Sequence, residues 1–258
     1  MDKNKKKNQK KNNHKNKKRL DQRLIEEGFA KDQKSAEALI RVGKVIVNDQ
    51  RVELPATLVA LDAKIRVKGL KSFVGRGATK LAPALKHFDL LDAIENKDIL
   101  DIGASTGGFT DLCLQLGARH VTAVDVGTNQ LDWSLRSDER VTCLEKTDIR
   151  QYIPDRDFSL VVCDISFISL LKVIKPFFSH QKAKETKYLF LVKPQFEMRE
   201  EDVPKGGIIE NKEDRKLCVL RVKEGLLAEG LHVRDPFDCP VPGRNGNQET
   251  FLLAEKKP

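Results

Sequence analysis

Four charged side chains stand at positions where an apolar core gains nothing from a charge. Lys80 enters a helical pattern in Gly75-Arg-Gly-Ala-Thr-Lys-Leu81, and Asp164 closes the apolar run Val161-Val-Cys163. Lys193 closes Leu189-Phe-Leu-Val192, and Glu249 opens a last apolar run, Thr250-Phe-Leu252. Two ammonium and two carboxylate groups offer proton transfer and electrostatic stabilisation to a bound substrate. Each alone reads as a solvated strand end. All four together do not, because the carboxyl ends of parallel strands in an open α/β sheet form one crevice.

A second group of residues faces that crevice. Asp101-Ile-Gly-Ala-Ser-Thr-Gly-Gly-Phe-Thr110 follows the apolar Ile99 and Leu100 and runs into the helical spacing Phe109, Leu112, Leu116. Strand, glycine turn and helix N-terminus make a cradle in which a ligand approaches the backbone closely and meets N–H groups. A second strand, Val121-Thr-Ala-Val-Asp125, ends in an acidic residue 24 positions after Asp101. A carboxylate there can accept both ribose hydroxyls of a nucleoside. The spacing Gly103, Gly107, Gly108 is not the dinucleotide fingerprint; it is closer to the S-adenosylmethionine loop of methyltransferases, with another nucleotide as the alternative. The expected cofactor contacts are Asp101, Gly103, Ser105, Thr106, Gly107, Gly108, Phe109, Asp125 and Asp164, with Asp148 placed to accept an adenine amino group.

The elements that position these groups follow from periodicity. Strands are expected at 97–102, 121–126, 141–145, 159–164, 187–193, 231–237 and 249–255, and helices at 107–116, 168–177 and 213–229. Alternation of this kind implies a mostly parallel sheet covered on both faces. The final two strands form a hairpin around Pro242-Gly-Arg-Asn-Gly-Asn247, which makes the last strand antiparallel. That ending is usual for methyltransferases and unusual for dehydrogenases. The five cysteines form no Cys-x-x-Cys pair and no zinc spacing, so the expectation is a reducing cytoplasm, no disulfide framework and no metal. No apolar run is long enough for a membrane span, and no targeting signal is visible.

Charge is unevenly placed. Residues 1–19 hold nine Lys and one Arg against one Asp, the whole formal excess of +9. Residues 1–18 are nearly devoid of apolar side chains and are expected to be a disordered basic tail of the kind that associates with nucleic acid. Residues 19–67 read as a small separate unit. Leu20, Leu24 and Ile25 make one helical stripe, stopped by Gly28. Ala36, Leu39 and Ile40 make another, capped by Asp32 and stopped by Gly43. Val45–Val52 reads as strand, turn, strand, and Ala63–Lys68 as a last strand. Arg19, Arg23, Lys31, Lys34, Arg41 and Lys44 surround the helices. Residues 68–76 read as a junction, and 77–258 as the α/β domain.

The small unit resembles the αL-type RNA-binding domain shared by a small-subunit ribosomal protein and pseudouridine synthases. Arg19-Leu-Asp21, Leu39-Ile-Arg-Val-Gly43, Val45 and Val47-Asn48 carry that resemblance, while Asp32-Gln33 stands where that family often has Ser-Arg. Over residues 19–258 the chain resembles the TlyA (haemolysin-A-like) family of ribosomal RNA 2′-O-methyltransferases, within the FtsJ-like group. The carrying segments are Asp101–Asp111, Ala123–Gly127 with Gln130-Leu131, Asp164–Leu170, Lys193–Glu197, Lys205–Gly207 and Gly246-Asn247 before Glu249. The chain departs from the family at Gly75-Arg-Gly-Ala78, where Ser-Arg-Gly-Gly is usual.

The resemblance implies a Rossmann-like methyltransferase sheet, S-adenosylmethionine as cofactor, and ribosomal RNA or ribosomal subunits as partner. It implies a Lys-Asp-Lys-Glu tetrad at Lys80, Asp164, Lys193 and Glu249, and a cytidine ribose 2′-hydroxyl as the methylated group. Arg19, Arg23, Lys34, Arg41, Lys44 and Arg76 become the expected RNA contacts. Lys193 either stabilises the developing alkoxide or, with a lowered pKa, removes the proton. Two rival readings keep parts of this picture: a non-catalytic RNA-binding or ribosome assembly factor, and a haemolysin-like cytotoxin.

Overall fold

The computed structural model describes residues 17–256 apart from 28, 31, 62, 64, 70–72, 181–184 and 244. The chain divides between residues 72 and 73 into two units.

In the first unit, strand β1 (Lys17–Arg19) leads into helix α1 (Leu20–Glu26), followed by α2 (Gln33–Arg41), β2 (Val45–Val47), β3 (Gln50–Arg51), β4 (Leu58–Ala60) and β5 (Ile65–Val67). Strand β2 pairs antiparallel with β3 and β5, and β1 with β4. Asp32 caps α2 as expected, its carboxylate accepting the Ser35 N–H at 2.8 Å. One face of each helix meets alternate strand residues in a core of Leu20, Leu24, Ala36, Ile40, Val45, Val47, Ile65 and Val67. Lys17 and Lys18 are strand residues, against the expectation that the basic tail extends to residue 18. Their backbone pairs with Val59 and Ala60, a bond that needs no apolar side chain, and Lys18 forms an ion pair with Glu26. Residues 1–16, Gly28 as a helix stop and Lys31 as a basic flank lie outside the described residues.

The second unit contains α3 (Gly77–His87), β6 (Asp98–Ile102), α4 (Gly108–Gln115), β7 (His120–Val124), α5 (Trp133–Arg136), β8 (Val141–Leu144), β9 (Leu160–Cys163), α6 (Leu170–His180), β10 (Lys187–Val192), α7 (Pro194–Glu197), α8 (Lys212–Ala228), β11 (Leu231–Val233), β12 (Phe237–Asp238) and β13 (Thr250–Lys256). Among the described residues the sheet has eight strands in the order β11-β13-β10-β9-β6-β7-β8, with β12 also against β13. Strands β6 to β10 are parallel, and β13 runs antiparallel between β10 and β11.

Both faces of this sheet are buried, which is why its strands read as nearly unbroken apolar runs. Leu160, Val162, Leu189, Leu191, Phe251 and Leu253 point to the face covered by α3 and α4. Val161, Cys163, Tyr188, Phe190, Leu252 and Ala254 point to the face covered by α6 and α8. The unit begins at Phe73 rather than at residue 77. Phe73 and Val74 pack on the first of these cores, and the Val74 N–H donates to Asp111 Oδ2 at 2.7 Å. The expected junction therefore contributes its last residues, through Arg76, to the α/β unit.

Candidate active site

Strand register brings the charged groups to one edge. Val192 of β10 is paired with Thr250 of β13, so the residues just beyond that pair, Lys193 and Glu249, sit side by side. Ile102 of β6 is paired with Cys163 of β9, which sets Gly103 against Asp164. Gly103 has a left-handed φ of 79°, and a Cβ there would lie 2.7 Å from the Asp164 carbonyl oxygen; only glycine lets the two loops approach this closely. Helix α3 is seated through Gly77, which faces Gly108 at the start of α4. A Cβ on Gly108 would come within 2.9 Å of the Gly77 backbone. That contact delivers Lys80, in the first turns of α3, to the same edge.

The four side chains form two ion pairs. Lys80 Nζ lies 2.7 Å from Glu249 Oε2, and Lys193 Nζ lies 2.5 Å from Asp164 Oδ1. Lys193 also donates to Ser166 Oγ at 2.7 Å. Both lysines are buried, and Glu249 is only 2% exposed. Burial alone would lower the Lys80 ammonium, but Asp164 and then Glu249 outweigh it and hold the group above the usual lysine range. Asp164 thus links the two pairs, being in ion-pair contact with Lys193 and electrostatically coupled to Lys80. The segment before Glu249 is pinned on its outer side, where Arg76 Nη2 donates to the Pro242 carbonyl at 3.2 Å.

The glycine turn carries a second set of acidic groups. Asp101 is 1% exposed. Its Oδ2 accepts the Thr110 N–H at 3.0 Å and the Thr110 hydroxyl at 2.7 Å. Its Oδ1 is buried without a hydrogen-bond partner among the described residues. Burial pushes the Asp101 carboxyl up to about 7; the Thr110 hydroxyl opposes the shift, and the Asp164 and Asp125 carboxylates add to it. Asp125, half-buried at the end of β7, accepts the N–H of Ser105 at 2.8 Å and of Gly127 at 2.7 Å. A buried acceptor lacking a donor, beside a carboxylate at the mouth of a glycine turn, fits a cationic nucleoside. Ser105 and Thr106 are exposed on that turn, whereas Gly107 is buried against Leu131 and Leu135.

Other expected residues have partners of their own. Phe109 is buried, its ring 6.4 Å from that of Phe251; it follows the helical period into the core and presents no face to a ligand. Asp148 is bracketed by Arg150, whose Nη2 lies at 2.5 Å. Arg23, expected on an RNA-facing surface, is 4% exposed. Its guanidinium donates to the Ala60 carbonyl at 2.5 Å and the Ala63 carbonyl at 3.1 Å and pairs with Glu27, so it ties α1 to the strands. Arg19, Lys34, Arg41 and Lys44 are exposed.

Other contributors have roles that the sequence does not signal. Ser166 receives a Lys193 hydrogen bond, a role that the serine itself does not signal. Glu145 accepts the Arg136 guanidinium at 2.6 Å and the N–H groups of Asn129 and Gln130 at 2.8 and 2.9 Å. These hold its carboxyl well below the usual range and fix the loop after Asp125. Phe167 is 91% exposed, has a left-handed φ of 68° and lies 5.4 Å from the Phe196 ring. A bulky residue held there is strained. Its place next to Ser166 puts an open aromatic face at the rim of the crevice.

Known proteins are similar to this chain in sequence and in fold. The FtsJ-like methyltransferase family matches residues 73–257. The chain is 39% identical over 239 residues to the 16S/23S rRNA (cytidine-2′-O)-methyltransferase TlyA of Mycobacterium tuberculosis, covering 91% of this chain and 88% of that protein. It is 36% identical to Hemolysin A of Brachyspira hyodysenteriae, covering 90% of this chain and 97% of that one. A solved structure named as a hemolysin, from Streptococcus thermophilus, aligns with a TM-score of 0.71 at 34% identity, over 93% of this chain and 89% of its own. With its glycine turn, its parallel strands and the antiparallel strand that brings in Glu249, the chain belongs to the FtsJ-like methyltransferase family.

Proposed function

We propose that this chain transfers the methyl group of S-adenosylmethionine to the 2′-hydroxyl of a cytidine ribose in ribosomal RNA. The observation that carries this reading is the position of the Lys193 ammonium. It is held by Asp164 and Ser166, beside the Lys80–Glu249 pair and at the same strand ends as the acidic glycine turn. The kinship with an rRNA (cytidine-2′-O)-methyltransferase supports the substrate class. The exposed Phe167 face also suits a nucleic acid, since unstacked bases lie against aromatic rings.

When bound, the cofactor supplies an electrophilic methyl on a sulfonium centre. Asp125 keeps lone pairs for the ribose hydroxyls after its two backbone bonds, and Asp101 Oδ1 offers an acceptor to a cationic group. An ammonium has three N–H donors. Ser166 accepts one from Lys193 and Asp164 lies in ion-pair contact with it, which leaves donor capacity for the substrate oxygen. A ribose hydroxyl is almost fully protonated at neutral pH, so the ammonium stabilises the alkoxide left when the proton departs to solvent. Alignment of the oxygen with the methyl contributes about 7–11 kcal/mol. Lys80 holds Glu249 and adds positive potential to the site.

Donor affinity rises with pH up to about 7 and then levels. A cation beside Asp101 favours its carboxylate form, so below the shifted pKa each bound donor must displace a proton. Affinity then falls by up to about tenfold per pH unit on the acid side. Calorimetric titration across this range measures it, and Asp101→Asn flattens the profile. A flat profile in the parent removes Asp101 from donor binding.

We infer further that residues 19–67 are an αL-type RNA-binding domain. Lys34, Arg41 and Lys44 are exposed on and just after α2. Reversing these three charges to Glu reduces the slope of log affinity against log salt by about 2, since each phosphate contact contributes about 0.7–0.9. An unchanged slope in filter binding with rRNA fragments excludes this face. The free cysteines and an rRNA substrate are consistent with the cytoplasm as its compartment. Two relatives carry hemolysin names; among the described residues no helix is long and apolar enough to cross a membrane, and the assembled tetrad favours methyl transfer.

A further inference from the structure

We propose that Glu197 is a positioning residue that clasps together the two loops bearing Lys193 and Asp164, and so sets the geometry of Lys193, Ser166 and Phe167; this rests on the methyl-transfer reading above. The loop after β9 carries Asp164, Ser166 and Phe167, and the segment after β10 carries Lys193 and, on α7, Phe196. At the reacting end they meet through Lys193, which contacts Asp164 at 2.5 Å and Ser166 at 2.7 Å. At the far end they meet through Glu197. Its Oε2 accepts the Ser169 hydroxyl at 2.7 Å, and its Oε1 accepts the Leu170 N–H at 2.7 Å. Between the two ends lies the contact of the Phe167 and Phe196 rings.

Helix stability alone does not account for this arrangement. Helices α2, α5 and α8 are capped by their own flanking residues, Asp32, Asp132 and Asn211. Ser169 directly precedes α6 and is the residue type that serves as a local cap, yet its hydroxyl donates to Glu197. Glu197 is 7% exposed, and a buried carboxylate is costly unless its hydrogen bonds are complete. Among the described residues no ion pair compensates it. Arg221 Nη1 instead reaches the Glu197 backbone carbonyl at 2.9 Å, which fixes α7 on α8. The carboxylate is thus held from behind and directed at the neighbouring loop. Groups that must hold a reacting geometry need such support from behind, and a misplacement of about 1 Å can cost about 10²-fold in rate.

Single-turnover methyl transfer at saturating donor and RNA tests the proposal. Glu197→Ala is expected to slow the reaction by about 10²-fold with donor affinity within about twofold of the parent. Glu197→Gln is expected within about threefold of the parent, because its amide oxygen can accept from Leu170 while its NH₂ donates to Ser169 Oγ. In a Ser166→Ala background the Glu197→Ala change is expected to add little, since the two act on one geometry. A parental rate in Glu197→Ala, a Gln variant as slow as the Ala variant, or fully multiplicative losses in the double variant overturns the proposal. If Glu197→Ala does not fold, Ser169→Ala reports the same clasp with a loss of about tenfold, and a parental rate there overturns it. If the parent itself fails to methylate RNA, the functional reading fails. The clasp is then judged from crystal structures of parent and Ser169→Ala: separation of Ser166 from Lys193 in the variant supports it, and an unmoved pair overturns it.

Discussion

Lys193→Ala slows methyl transfer by about 10³-fold or more and leaves donor affinity within about twofold of the parent. The two effects separate because the groups do. The proposed donor contacts, Asp101 and Asp125, lie on and beyond β6 and β7, whereas Lys193 lies beyond β10. The fold should tolerate the loss, since the Asp164 side chain keeps 20% of its surface open and water can replace the ammonium. Lys193→Arg gives a sharper answer. A guanidinium keeps the charge and cannot serve as a base at neutral pH. Activity clearly above the alanine variant is expected if the cation stabilises an alkoxide. An arginine variant as inactive as the alanine one returns the proton-acceptor role to Lys193. Near-parental turnover in Lys193→Ala removes the residue from the mechanism altogether.

Lys80→Met has a different signature, because it damages stability as well as rate. Glu249 is 2% exposed, and its Oε2 lies 2.7 Å from Lys80 Nζ. Gly243 closes over the other oxygen, so a Cβ there would lie 2.5 Å from Glu249 Oε1, and water has little room to replace the ammonium. Removing one partner of a buried pair typically costs about 3–5 kcal/mol, while replacing both is often neutral. A loss of about 3 kcal/mol lowers the Tm of a domain this size by about 6–12 °C. The double variant Lys80→Met with Glu249→Gln is expected to recover most of that loss in thermal melts and none of the methyl transfer. If Lys80→Met melts with the parent, the pair is not buried as described. If the double variant recovers activity, the pair is structural only.

The sheet was legible because both of its faces are buried. Runs such as Leu189-Phe-Leu-Val192 have few other uses, and a charge that ends such a run is conspicuous. That is how Asp164, Lys193 and Glu249 could be picked out, and register then explains their meeting. What stayed hidden depends on partners distant in sequence. Arg23 looks like one more surface cation until the Ala60 and Ala63 carbonyls close around it. Lys17 and Lys18 look like tail because backbone pairing with β4 leaves no mark on side-chain pattern. Phe109 follows the cofactor glycines and reads with them, although its helical phase points it toward the core. Ser166 acts through a single hydrogen-bonded contact and Glu145 through several donors on the loop before it and on Arg136, and for such roles a serine or a glutamate is an ordinary residue.

The antiparallel placement of β13 between β10 and β11 has a consequence for biosynthesis. Lys80 emerges from the ribosome well before the acid that pairs with it, which precedes the last strand of the sheet, so a polypeptide interrupted ahead of residue 249 carries three of the four charges and a gap where β13 should lie. Catalytic competence is thereby deferred until residue 249 and β13 have been made. Unfinished copies, still tethered amid abundant rRNA, would be unable to modify it.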